Sequence, residues 1–153
     1  MSRPTRNHRP GGARPTAAIA NDACPSCGTA MKETRGRLAY PVNGEDMKIA
    51  ASHLRCSKCG EVVLRLEDAR RLRADAIGAY RKKYRLLSAD EIRAVREHHG
   101  LTQAELAKLL HLGQNTVSRW EAGRNVQTGA MDVLLRLLRD VPGTLGSLKA
   151  LAA

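Results

Sequence analysis

Apolar residues recur every three or four positions in residues 66–86 and again in residues 88–151, which is the spacing of one face of an α-helix. The first stretch predicts a linking helix with a modest apolar stripe, formed by Ala69, Leu72, Ala76 and Tyr80. We expect the arginines and lysines of this helix to be solvated, with contact to phosphate as the alternative. The second stretch predicts a run of short helices.

Two capping boxes indicate where helices begin in the second stretch. The motifs "SADE" at residues 88–91 and "TQAE" at residues 102–105 each place a Ser or Thr three residues before a Glu, so that each side chain can bond the other's backbone. Ile92 and Val95 then face a core, and Gly100 can end the first helix in a left-handed conformation. The second helix carries Leu106, Leu109 and Leu110.

The stretch "GQNTVSRWEAGRN", residues 113–125, predicts a further short helix with two unlike faces. It follows a three-residue turn and begins with Gly113 or Gln114 near its N-cap. At 100° per residue, Val117 and Trp120 lie on one face and pack on the preceding helix, with Trp120 in the core. The opposite face is polar and stays open to a partner; it holds Gln114, Asn115, Ser118 and Arg119.

A last helical pattern runs through "AMDVLLRLLRD" and ends where Pro142 and Gly143 break it. Its apolar positions are Met131, Leu134, Leu135 and Leu138. We expect this helix to close the core and to offer an apolar edge to a second copy of the chain. The alternative is that all of these leucines belong to the core of one chain.

Residues 21–64 differ from the rest, because they lack helical periodicity and hold all four cysteines. The turn signal Asn43-Gly44 lies between two extended stretches and predicts a hairpin within a two- or three-stranded ribbon. The cysteines form two knuckles, "CPSCG" and "CSKCG", and each knuckle ends in a Gly that lets the backbone fold under a metal. Two knuckles predict one closed tetrahedral zinc site with a structural role, formed by Cys24, Cys27, Cys56 and Cys59.

Other uses of these cysteines are iron in a four-thiolate site, two disulfides, redox pairs, or a site in which His53 is a ligand. A disulfide framework suits a secreted chain, and a thioredoxin-like redox pair needs a βαβ context. Neither context is visible in the sequence. A closed four-thiolate site has no open position for substrate, which argues against a zinc-dependent hydrolase.

Composition and charge favour a polyanionic partner over a basic protein without one. The 153-residue chain has a formal net charge of +11, a sequence pI near 10.2 and 3% aromatic residues with no Phe.

Residues 1–21 are predicted to be a disordered basic tail; their Pro and Gly disfavour the amphipathic helix of a transit peptide. No apolar run predicts a membrane span, and without a secretory signal we expect a cytoplasmic protein. No histidine has an evident catalytic partner, so we expect no enzyme activity.

The polar face of residues 113–125 fits the second helix of a helix-turn-helix, which lies in the major groove of DNA. Asn115 can pair with adenine through N6 and N7, and Arg119, one turn later, can pair with guanine through O6 and N7. The neighbouring polar residues are expected to contact a base or the phosphate backbone; they are Gln114, Ser118, Gln103 and Arg124. For each of these residues the alternative is an ordinary solvated side chain.

The stretch "LTQAELAKLLHLGQNTVSRWEAGRN" resembles an Xre/Cro-type helix-turn-helix. With "YRKKYRLLSADEIRAVREHHG" before it and the two cysteine knuckles upstream, the chain resembles the MqsA-type antitoxin family, also called YgiT-type zinc-finger proteins, over about residues 22–140. The helix-turn-helix alone is common, whereas the combination in this order is much more specific.

The resemblance implies a structural zinc domain that binds a cognate toxin, an mRNA-cleaving ribonuclease of RelE-like fold. It also implies a C-terminal domain that forms a homodimer and binds a palindrome in the operon's own promoter, with base-reading residues that fall on Asn115 and Arg119. The chain departs from the family in its N-terminal extension, in His111 where the turn usually has Gly, and in Val126 and Gln127 where a Pro is common.

The predicted fold class is α+β, a small N-terminal zinc ribbon joined by a linking helix to an all-α helix-turn-helix domain. The predicted parts are the tail at 1–21, the zinc ribbon at 22–64, the linking helix at 65–87 and the DNA-binding and dimerisation domain at 88–153. The predicted function is an antitoxin that represses its own operon and neutralises a ribonuclease. The alternative is a stand-alone zinc-containing transcriptional regulator without a toxin.

Overall fold

The computed structural model describes residues 23–152, and the predicted basic tail lies outside them. Within these residues a three-stranded antiparallel sheet is followed by six helices, which confirms the α+β prediction. The strands are β1 (Met31–Val42), β2 (Glu45–Cys56) and β3 (Val62–Val63). The helices are α1 (Leu66–Lys83), α2 (Ala89–His98), α3 (Gln103–Leu109), α4 (Thr116–Glu121), α5 (Gly129–Asp140) and α6 (Thr144–Leu151). None of these helices is both long and apolar enough to cross a membrane.

The predicted hairpin is present, and its turn is the predicted Asn-Gly turn. Asn43 and Gly44 join β1 to β2 with φ angles of 49° and 83°, the left-handed pair that a two-residue type I′ turn requires. The third strand pairs antiparallel with β2, with Leu54 opposite Val63. The ribbon is therefore three-stranded.

Contacts divide the described chain into two compact units. The first contains residues 23–36 and 51–70, and the second contains residues 37–50 and 71–152. The first unit has a small core that includes two of the cysteines; its members are Cys24, Met31, Leu54, Cys56 and Val63. This core is small for a folded unit, which is the situation in which metal ligation contributes most to stability.

In the second unit, the tip of the hairpin (residues 37–50) packs against α1. Val42 lies in one cluster with Ala76 and Ile77 of α1 and with Val126, and Tyr40, Met47, Ile49 and Tyr80 pack around it. Glu45 accepts a hydrogen bond from the Tyr84 hydroxyl at 2.6 Å and also binds Lys83. The expectation that the basic residues of α1 are all solvated is wrong for Arg81, which is 5% exposed.

The helices α2 to α5 enclose the main core, and the sequence signals for the starts of α2 and α3 are confirmed. Both capping boxes form, with Ser88 paired to Glu91 and Thr102 paired to Glu105. Three helices end in left-handed residues, at Gly100 (φ 64°), His111 (φ 50°) and Gly123 (φ 63°). The core side chains are Leu87, Ile92, Val95, Leu106, Ala107, Leu110, Val117, Trp120, Leu135 and Leu138.

One predicted helix boundary is wrong. The N-cap of α4 is Asn115, rather than Gly113 or Gln114, and its side chain makes no capping hydrogen bond. The amide of Thr116 donates instead to the carbonyl of Gly113 at 2.9 Å, so the chain makes one tight turn before the helix starts. The side-chain amide of Asn115 is consequently left available to a partner.

Candidate metal centre and nucleic-acid interface

The two cysteine knuckles have the same backbone geometry. In the first, the amide of Gly28 donates to the carbonyl of Cys24 at 2.8 Å; in the second, the amide of Gly60 donates to the carbonyl of Cys56 at 3.0 Å. Both glycines have positive φ, 72° and 76°, which an L side chain rarely adopts. Each knuckle therefore turns back on itself and brings its two sulfurs to the same side.

The four sulfurs converge on one point. All lie within 4.8 Å of one another, and they belong to Cys24, Cys27, Cys56 and Cys59. The distances from Cys24 Sγ to Cys59 Sγ (3.4 Å) and from Cys27 Sγ to Cys56 Sγ (3.5 Å) exceed the disulfide length of about 2.05 Å. A tetrahedral zinc with Zn–S bonds of about 2.3 Å separates its sulfurs by about 3.8 Å, so the cluster fits a four-thiolate metal ion with small side-chain adjustments.

His53 is not among the side chains that are close enough to share a metal ion with the cysteines. Its ring is 6% exposed, with Nδ1 at 3.2 Å from the carbonyl oxygen of Ala51 and Cε1 close against Gly36. Within residues 23–152, the only group of cysteine, histidine and acidic side chains close enough to share an ion is the set of four cysteines.

Hydrogen bonds and crowding shift the pKa values of the cysteines in opposite directions. Hydrogen bonds from the side chain and backbone of Thr29 lower the pKa of Cys27 to about 6. The pKa of Cys59 is raised to about 12, because the neighbouring sulfurs and burial outweigh a backbone hydrogen bond from Glu61. Four adjacent thiolates repel one another, so a bound cation stabilises the fully deprotonated set and releases protons as it binds.

The predicted recognition face lies on α4. Val117 and Trp120 are buried, at 0% and 3% exposure, whereas Asn115 and Arg119 are exposed on the opposite side. The amide of Arg119 donates to the carbonyl of Asn115 at 3.2 Å, so the two residues are one helical turn apart. Among the described residues, no hydrogen bond or ion pair engages the side chain of Asn115 or of Arg119.

The four other predicted contacts lie just before α4, on α4, just after α4 and at the start of α3. Gln114 is exposed, and the hydroxyl of the half-buried Ser118 donates to the carbonyl of Asn115 at 3.0 Å. Arg124, exposed, follows the helix, and its amide donates to the carbonyl of Arg119 at 2.8 Å. Gln103 begins α3 and is half-buried.

Comparison with known proteins matches residues 20–149 to the family described as the antitoxin component of a bacterial toxin–antitoxin system, MqsA. The chain belongs to the MqsA antitoxin family. It is also similar to the antitoxin HigA-2 of Vibrio cholerae serotype O1 (strain ATCC 39315 / El Tor Inaba N16961), with 37% identity over 65 residues. That match covers 42% of this chain and 62% of the relative, so the chain spans less than two thirds of the relative's length.

Membership of the MqsA family confirms the resemblance seen in the sequence and places this chain in an antitoxin family of toxin–antitoxin systems. The family suggests a regulatory role rather than an enzymatic one. The cysteine cluster is consistent with a zinc-binding antitoxin family, and four soft sulfur donors suit a metal ion.

In this member of the MqsA family, the sequence prediction missed a buried carboxylate behind the predicted recognition face. Glu121 is 4% exposed, and it accepts hydrogen bonds from Arg96 Nε at 2.6 Å and from Gln103 Nε2 at 2.8 Å. Burial alone would raise the pKa of Glu121, but these hydrogen bonds bring it below its ordinary value. The position of Glu121 around the helix could have predicted its burial, because Glu121 lies about 40° from Val117 on the apolar side of α4.

Proposed function

We propose that this antitoxin is a sequence-specific DNA-binding repressor of its own operon. The observation that carries the proposal is the polar face of α4, where Asn115 and Arg119 are exposed one turn apart with no side-chain partner among the described residues. Val117 and Trp120 are buried on the opposite face and anchor the helix in the core. A helix inserted in the major groove presents such a pair to adjacent bases. The net charge of +11 supplies the long-range attraction that phosphate binding needs.

The proposed roles follow the chemistry of each side chain. Asn115 pairs with adenine and Arg119 with guanine, while Gln114 and Ser118 contact a neighbouring base or phosphate. Gln103 Nε2 donates one hydrogen to Glu121 and has a second for a phosphate. Arg124 contacts the DNA backbone from beyond the end of the helix.

We further propose that the protein binds a palindromic operator as a homodimer. Leu135 and Leu138 belong to the core of one chain, but Val133 (58% exposed) and Leu137 (42% exposed) form an apolar edge on α5. A two-fold dimer places its recognition helices about 34 Å apart, one turn of DNA. Leu137→Glu is expected to yield monomers in sedimentation equilibrium, whereas Leu151→Glu, at another exposed leucine, is not; equal effects would contradict this interface.

The bound metal is proposed to be one structural zinc ion per chain, held by the four cysteines. The ribbon around it is proposed to bind a RelE-like, mRNA-cleaving ribonuclease and so neutralise it. The proposed DNA-binding and dimerisation domain is residues 88–153, and the proposed site of action is the cytoplasm, which contains the DNA and mRNA. The alternative is a stand-alone regulator whose ribbon binds no toxin.

Affinity capture with the full-length protein distinguishes the two functions. The wild type is expected to retain a small protein that cleaves mRNA once separated from the antitoxin, together with specific DNA. Cys24→Ser is expected to lose the ribonuclease, and Arg119→Ala is expected to lose only the DNA. Retention of specific DNA without any ribonuclease by the wild type would instead support the stand-alone regulator.

A further inference from the structure

We infer that Arg81, on the linking helix α1, is a positioning residue for the recognition helix α4, and that α1 and the hairpin tip belong to the DNA-reading machinery. This inference rests on the proposed function of α4. Arg81 does not face the proposed DNA contacts itself. It acts through the backbone of the loop that follows α4.

The guanidinium of Arg81 joins two points at the end of the recognition helix. Its Nη2 donates to the carbonyl of Trp120 at 3.0 Å and to the carbonyl of Asn125 at 3.1 Å. Trp120 is in the last turn of α4, and Asn125 lies in the loop beyond the left-handed Gly123. One side chain therefore fixes the helix end and its exit loop relative to each other.

That loop closes on the backbone of the residue proposed to read guanine. The amides of Arg124 and Asn125 donate to the carbonyl of Arg119, at 2.8 and 3.3 Å. Displacement of Asn125 consequently disturbs the last turn of α4, from which the Arg119 side chain projects. A base contact depends on side-chain placement to a fraction of an ångström, so this connection bears on specificity.

The residues on either side of Asn125 are also attached to α1 and the hairpin tip. Arg73 of α1 donates to the carbonyl of Arg124, and Val126 is buried in the cluster that contains Val42 and Ala76. Three consecutive residues, 124–126, are thus held by elements that precede the helix-turn-helix in sequence.

Stability alone does not explain a buried arginine at this position. Its Nε has no hydrogen-bond partner, and no carboxylate of the described residues forms an ion pair with it. Burial lowers the pKa of Arg81 and outweighs the electrostatic attraction of Asp132, so the charge carries a cost in this environment. An apolar side chain can cover the same surface at less cost, whereas only a planar guanidinium offers several donors in a fixed geometry to two carbonyls.

The test compares Arg81→Gln with Lys82→Gln in the full-length, metal-bound protein. Both variants lose one positive charge from neighbouring positions, but Lys82 is exposed. The probes are a duplex selected from a random pool with the wild type and a shuffled duplex of the same composition. Arg81→Gln is expected to bind the selected duplex about tenfold more weakly than Lys82→Gln does. Binding to the shuffled duplex and its salt dependence are expected to be the same in both.

Hydrogen exchange without DNA gives an independent readout. The amides of Arg124 and Asn125 are expected to exchange faster in Arg81→Gln, while the α2 amides keep wild-type rates. If Arg81→Gln does not fold, Arg81→Lys takes its place, because an ammonium keeps the charge but lacks the planar array of donors. Its preference for the selected duplex is expected to lie below that of the wild type.

Equal discrimination between the two duplexes by the Arg81 variant and by Lys82→Gln would overturn the inference, even if the Arg81 variant melted at a lower temperature. That result would leave only a stabilising role for Arg81. A wild-type protein that enriched no duplex from the pool would instead overturn the proposed DNA-binding function, and this inference with it.

Discussion

Arg96 of α2 and Glu121 of the proposed recognition helix α4 form a buried ion pair, in which Arg96 Nε lies 2.6 Å from Glu121 Oε1 and the two side chains are 12% and 1% exposed. The same carboxylate accepts a hydrogen bond from Gln103 at the start of α3. One acidic group therefore links three helices behind the face proposed to read DNA. Hydrogen bonds of this charged kind are stronger than neutral ones and depend on geometry, so the network fixes the orientation of α4.

Glu121→Gln is expected to destabilise the second unit by about 3–5 kcal/mol, because the largely buried Arg96 loses its buried partner and keeps only the exposed Glu97. The free energy of unfolding from urea titration measures this effect. Glu97→Gln is the matched control, since Glu97 also binds Arg96, at 3.2 Å, but is 60% exposed. The control is expected to cost less than about 1 kcal/mol. Similar losses in the two variants would contradict a special role for the buried pair.

Stability is expected to fall in acid through the same carboxylate. The pKa of folded Glu121 is lowered from 4.5, since hydrogen bonds outweigh burial, and the pKa of Asp132 is lowered from 3.8 for the same reason, with Arg136 as the main donor. The unfolded chain then binds more protons than the folded chain in acid. The stabilisation is complete above the unfolded pKa values and is lost as the pH falls through the folded ones. Urea titrations at several pH values are expected to show that the free energy of unfolding falls less steeply in acid for Glu121→Gln than for the wild type. Equal slopes in the two proteins would show that Glu121 does not contribute to the acid sensitivity.

Much of this fold could be predicted because its signals are local. The Asn43-Gly44 turn and the boxes that begin at Ser88 and Thr102 involve residues within four positions of one another, so a short stretch of sequence contains the whole interaction. The cysteine cluster was also predictable, because its two knuckles are separately recognisable and zinc requires four donors.

The features that the sequence did not predict depend on contacts between distant residues. Arg81 donates hydrogen bonds to the carbonyls of Trp120 and Asn125, which are 39 and 44 positions away. Every residue has a backbone carbonyl, so residue types do not reveal which carbonyl accepts such a bond. The pairing of Glu121 with Arg96 spans 25 positions. The sequence predicts a solvated Arg81 and offers no expectation for Glu121, because long-range packing decides the environment of both side chains.

Cys24→Ser is expected to abolish binding of the proposed zinc ion and to unfold the ribbon, because metal binding and folding are coupled in so small a core. Metal content by mass spectrometry of the intact protein and the circular dichroism spectrum measure the two effects. Ser26→Ala, between the cysteines of the same knuckle, is the control and is expected to retain one ion per chain. Unchanged metal content and a native spectrum in Cys24→Ser would refute the four-thiolate site.

Arg119→Ala is expected to weaken operator binding by about 1–3 kcal/mol and to relax specificity at one base pair, because Arg119 is the proposed bidentate contact to guanine. Arg124→Ala provides the contrast, since its proposed contact is a phosphate. That variant is expected to bind all sequences more weakly and to reduce the salt slope by about one ion. Binding of duplexes substituted at single positions, measured at several salt concentrations, separates the two patterns. If Arg119→Ala weakened binding equally on every sequence, Arg119 would be a phosphate contact, and Asn115 would be left as the proposed base-reading residue of the pair.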